Sequence, residues 1–101
     1  MKIDVLDLHC LNSACDDYES VATVIEDIRR ETHFKVNEGG LIASIQKLHS
    51  LGFLEVFDYD VKKTAFVPAI PQGNVLKQWF FISDEGRRVL DEYWVDDPEA
   101  V

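Results

Sequence analysis

Asn37-Glu38-Gly39-Gly40-Leu41-Ile42-Ala43-Ser44-Ile45-Gln46-Lys47-Leu48-His49-Ser50-Leu51-Gly52-Phe53-Leu54-Glu55-Val56-Phe57-Asp58-Tyr59-Asp60 changes its hydrophobic period at Gly52. Before that glycine, Leu41, Ile45 and Leu48 share one side of a helical wheel, with Ile42 and His49 on its shoulder. Gly40, Ala43, Lys47 and Ser50 point the other way, with Gln46 at the edge. Asn37 is a good N-cap, because its side-chain oxygen can accept a backbone N–H of the first turn. Gly52 suits the left-handed position that ends a helix. After it, Phe53 to Asp60 reads as a strand. The third helix of the chain therefore leads through a glycine turn directly into sheet.

Working outward toward the N-terminus, Ile3, Leu6 and Cys10 fall at helical spacing and predict a first helix over about residues 2–11, with Asp4 and Asp7 elsewhere on the wheel. Asn12-Ser13 reads as its end. Asp16 with Glu19 resembles a capping box and opens a second helix that runs to about Glu31. The apolar stripe of that helix is Val21, Val24, Ile25 and Ile28, which leaves Glu26, Asp27, Arg29 and Arg30 to solvent. Thr32 to Val36 is a short connection in which Phe34 and Val36 plug the core.

Working outward toward the C-terminus, Val61 to Leu76 is a long irregular segment. Pro68, Pro71 and Gly73 disfavour regular sheet there. Phe66, Val67, Ile70, Val75 and Leu76 make it apolar, so it either folds back on the body or offers a sticky surface. Lys77 to Ile82 reads as a second strand, with Phe80 and its neighbours filling the core on one face and packing the wing on the other. Ser83 caps a closing helix in which Asp84 and Glu85 favour the positive helix start. Val89, Leu90, Tyr93 and Trp94 give that helix an apolar face. Residues 1–94 are expected to form a single domain of α+β class, mostly helical, and residues 95–101 a frayed tail.

The 101 residues are 47% hydrophobic and 11% aromatic, enough for a modest core. No run approaches the roughly 18 apolar residues of a membrane span, and the first residues lack the apolar stretch of a signal peptide. A cytoplasmic protein without membrane contact is expected. Charge is uneven. Residues 1–36 carry 4 basic and 8 acidic groups, residues 37–78 carry 4 and 4, and residues 79–101 carry 2 and 7, for a net of −9. The acid lies in the flanks, and no basic patch of the kind that usually supplies affinity for DNA is visible.

No motif for catalysis stands out, and no enzymatic activity is expected. Cys10 and Cys15 are most simply reduced, buried thiols. With His9 they fall short of the four ligands of structural zinc. Gly39-Gly40 lacks the spacing of a phosphate loop. Neither a metal nor any other cofactor is implied.

Leu48-His49-Ser50-Leu51-Gly52-Phe53-Leu54-Glu55 and Trp79-Phe80-Phe81-Ile82-Ser83-Asp84-Glu85-Gly86-Arg87-Arg88 resemble two local signatures of the winged helix-turn-helix family of bacterial transcription regulators. The first is the end of the recognition helix and the start of the wing. The second is the exit from the wing into the last helix. The resemblance implies a three-helix core, a two-stranded wing and a C-terminal helix. It also implies a DNA-binding regulator, commonly a dimer that reads two half-sites. Carried over by position, the groove face would be Asn37, Gly40, Ala43, Ser44 and Lys47, with Lys62, Lys63 and Lys77 of the wing meeting phosphates. Here the chain departs from the family, since glycine and alanine cannot hydrogen-bond base edges through side chains. Two partner classes follow. One is double-stranded DNA. The other is protein, either another chain or a second copy, met through the apolar wing residues Phe66, Val67 and Ile70.

Overall fold

The computed structural model describes residues 3–31, 35–70 and 77–93. They form an α+β fold in the order α1 (Val5–Ser13), β1 (Glu19–Ser20), α2 (Val21–Glu31), α3 (Glu38–Ser50), β2 (Leu54–Asp60), β3 (Ala65–Ala69), β4 (Trp79–Ile82) and α4 (Asp84–Tyr93). The strands make one antiparallel sheet in the order β1-β4-β2-β3. Helices lie against one face of it. Leu54, Val56, Phe80 and Ile82 point into that layer and meet Leu11, Val21, Val24, Ile28, Leu41, Ile45, Leu48 and Leu90.

Each helix start has a local cause. Asp4 caps α1: its carboxylate accepts from the Asp7 N–H at 2.9 Å, while the Asp7 carboxylate accepts from the Asp4 N–H at 3.0 Å. The expected cap at Asp16 gives way to Ser20, whose Oγ accepts from the Thr23 N–H at 3.3 Å. The helix therefore starts at Val21, because Glu19 and Ser20 are drawn into the sheet as β1. Asn37 caps α3 as expected, accepting from the Gly40 N–H at 2.7 Å. Gly52, at φ +80°, ends it in the left-handed region, with its own N–H donating to the His49 carbonyl at 3.0 Å. Ser83 caps α4 by accepting from the Gly86 N–H at 3.0 Å.

The sheet is larger than the two strands expected from the sequence. β1 adds itself to the far side of β4, pairing Glu19 with Phe80 and Ser20 with Trp79. Within the stretch expected to be irregular, Ala65–Ala69 pairs with β2, Pro68 facing Phe57. Proline is tolerated there because β3 is an edge strand with a neighbour on one side only. The expected plug at Phe34, the apolar Val75 and Leu76, Trp94 and the tail 95–101 lie outside the described residues.

The β2–β3 turn, residues 61–64, is closed by Asp60, whose Oδ1 accepts from the N–H groups of Lys62 at 2.9 Å and Lys63 at 3.2 Å. Thr64 completes it at φ +47°, a left-handed conformation that a β-branched residue adopts only under strain. Thr64→Gly should therefore stabilise the domain by about 0.5 kcal/mol, the relief of strain outweighing glycine's entropic cost. A chemical-denaturation midpoint that falls instead would refute this reading of the turn.

Candidate functional site

α3 carries the residues singled out for DNA reading, and its surroundings determine what they can do. Leu41, Ser44, Ile45 and Leu48 face inward. The side that remains exposed is Glu38, Gly39, Gly40, Ala43, Gln46 and Ser50. The expectation that Ser44 belongs to the outward face is corrected: it is 5% exposed. Asn37 is exposed, but its side-chain oxygen is committed to the helix cap.

Ser44 and Lys47 turn toward Asp7 of α1, which is 1% exposed. The Ser44 hydroxyl donates to Asp7 Oδ1 at 2.5 Å, and Lys47 Nζ donates to Asp7 Oδ2 at 2.5 Å. Burial alone would raise the pKa of this carboxyl. The hydrogen bonds from Lys47, Ser44 and the Asp4 amide outweigh burial and hold it below its ordinary value. The Asp7 carboxylate in turn holds the Lys47 ammonium above its ordinary value. Asp7 is thus the polar pin between α1 and α3. It was expected elsewhere on the wheel of α1, yet its signal was present as the i, i+3 spacing with Asp4.

The other lysines singled out from the sequence lie on the β2–β3 turn or just before β4. Lys62 and Lys63 are exposed at the tip of that turn, in no ion pair among the described residues, and Lys77 is exposed just before β4. Val61, beside the two lysines, is 76% exposed. Phe66, expected as a contact for partners, instead packs within the molecule. Its ring stacks on Tyr18 with centroids 4.0 Å apart and meets Tyr59 and Trp79 edge-on at 5.2 and 5.4 Å. Tyr18 also touches Phe57 and Phe81. These rings form a second apolar cluster on the face of the sheet opposite the helices, and Phe57 is buried within it. Val67 is half-buried, and Ile70 is 67% exposed.

Neither cysteine is activated by its surroundings. Burial and the nearby Asp7 push the Cys10 thiol up to about 12. Burial and Asp16 also raise the Cys15 thiol, so both are protonated and poor nucleophiles near neutral pH. Among the described residues, no group of three or more His, Cys, Asp or Glu side chains is placed to hold a metal ion, and no helix is long and apolar enough to cross a membrane. Compared with known protein-family models and with curated proteins, the chain matches none.

Proposed function

We propose that this domain is a winged-helix module that works by docking on protein, without catalysis, rather than by reading DNA. The winged-helix part rests on the element order: three helices, a β-hairpin led into by α3, a return strand and a closing helix. The observation that carries the protein reading is the state of α3. Its sole lysine is bound to the buried Asp7, and its exposed side offers Glu38, Gly39, Gly40, Ala43, Gln46 and Ser50. Readers of the major groove commonly present arginine, asparagine or glutamine in bidentate contact with base edges, and phosphate contacts need free cations. A net charge of −9 adds repulsion from the duplex.

A DNA-binding regulator is the second reading. It is favoured by the exposed Lys62, Lys63 and Lys77, all on or beside the hairpin that would form the wing. Fluorescence anisotropy of labelled duplex, titrated at low salt where attraction is largest, separates the two. The expected result is no saturable binding. Saturable, salt-sensitive binding that survives competitor DNA would replace the protein reading with the regulator.

A further inference from the structure

We propose that the partner is a second copy of this chain, and that the wing tip of each copy seats in the groove between α2 and the start of α3 of the other. This inference rests on the protein-docking reading above. The groove has a volume of about 610 Å³ and is lined by Val21, Ala22, Ile25, Glu26, Arg29 and Glu38. Val21, Ala22 and Ile25 supply its apolar part: Val21 is buried, Ile25 is half-buried, and Ala22 is exposed and small. Two carboxylates stand at its rim. Glu26 and Glu38 are both exposed, and neither is in an ion pair among the described residues. Arg29 also lines the groove, where its guanidinium reaches to the Val36 carbonyl, 3.5 Å away, so two carboxylates stand there against one cation.

The chain itself displays a segment of matching chemistry. At the tip of the β2–β3 turn, Val61 is, among the described residues, the most exposed large apolar side chain, and Lys62 and Lys63, exposed and in no ion pair among those residues, follow it directly. An aliphatic side chain followed by two ammonium groups complements a groove that offers Val21, Ala22 and Ile25 with two carboxylates against one guanidinium. The turn is held in shape by the Asp60 carboxylate, which accepts from both lysine N–H groups and leaves both side chains free to reach outward. In a two-fold arrangement the contact is made twice, tip into groove and groove around tip, so one patch pair supplies both halves of the interface. The pairing also places two lysines of an acidic chain against carboxylates of its partner, which offsets part of the repulsion between two molecules of charge −9.

Opposed edge strands do not offer an equally simple route. β3 presents Pro68 on its edge and β1 is two residues long, so neither edge is a good template for continuing the sheet into another chain.

Light scattering coupled to size exclusion tests the proposal, with wild type followed up to about 100 µM, where a contact of micromolar affinity is populated. Wild type should run at twice the 11.6 kDa of the chain. Lys62→Glu with Lys63→Glu should give monomer, and so should Glu26→Lys with Glu38→Lys. The four substitutions together restore the charge match and should restore the dimer. All four sites are exposed, and a circular-dichroism melt of each variant establishes that it is folded. Val61→Asp, at an exposed position of the turn, should give monomer independently of the charge swap. A monomeric wild type overturns the proposal, as does a dimer whose mass ignores both charge reversals. Either outcome leaves the choice between protein and DNA to the anisotropy titration, so the two failures are distinguishable.

Discussion

Gly86→Ala should lower the stability of the domain by about 3 kcal/mol, among the larger costs of overpacking. A Cβ added at Gly86 would lie 2.0 Å from the Phe53 carbonyl oxygen and 2.8 Å from Cγ1 of Ile82. The first of these is backbone, held in place by accepting from the Ser83 N–H at 3.1 Å. It cannot move aside without pulling apart the junction where the turn after α3 meets the start of α4. That junction is tied a second time by the Ser83 hydroxyl, which donates to the Gly52 carbonyl at 2.6 Å. For a domain of this size the loss corresponds to a drop of roughly 15 °C in melting temperature. Gly39→Ala is the matched control. A Cβ there meets only the Asn37 side-chain oxygen, at an ordinary 3.6 Å, and helix propensity favours alanine. Equal melting temperatures for the two variants would refute the close approach of α4 to Phe53.

Lys47→Met should cost about 3 kcal/mol at neutral pH, because it leaves the Asp7 carboxylate buried without its cation. The deficit should depend on pH in a defined direction. Asp7 has a folded pKa below its unfolded value of about 3.9, so the stability it contributes is fully present above that value. It is lost as pH falls through the lower folded pKa. Lys47 has a folded pKa above its unfolded value of about 10.4, and its contribution survives until pH rises through that folded value. Without Lys47, burial is opposed only by Ser44 and the Asp4 amide, so the Asp7 pKa is higher in Lys47→Met than in wild type, and the difference between the two proteins should shrink as pH falls from neutral through that higher value toward about pH 3. Urea titrations at several pH values measure it. A deficit that is unchanged at pH 3, or absent at pH 7, would show that the ion pair does not hold α1 to α3. Lys47→Met combined with Asp7→Asn should cost less than the two separate losses added together, since the carboxylate that needs the cation is gone.

The parts of this fold that were legible in the sequence are those with local causes. Leu41, Ile45 and Leu48 lie on one face because the helix has its own period, whatever surrounds it. Asn37, Gly52 and Ser83 act on backbone groups within three residues, or through their own φ, so spacing alone identifies them. β1 was not legible, because two residues without alternation carry no strand signal and Glu19–Ser20 becomes sheet only by meeting β4. β3 was hidden by Pro68, whose effect depends on whether the strand is central or at the edge, and a topology is needed to know which. The candidate site was less legible still. The wheel of α3 left Lys47 near solvent and the resemblance carried Ser44 onto the same outward face, but Asp7, thirty-seven residues before Ser44, draws both inward. Phe66 looked available to a partner because nothing in its own segment covers it; its cover is Tyr18, from the other end of the sheet.

That stack between Tyr18 and Phe66 also bears on how the hairpin would meet anything at all. A β-hairpin fixed only at its base samples many orientations and loses that freedom when it docks, which weakens binding. Here β3 is fastened to the stretch before β1, with β4 and β2 between them in the sheet. The stack narrows the orientations open to the hairpin before it meets anything, so less ordering is left for docking to supply.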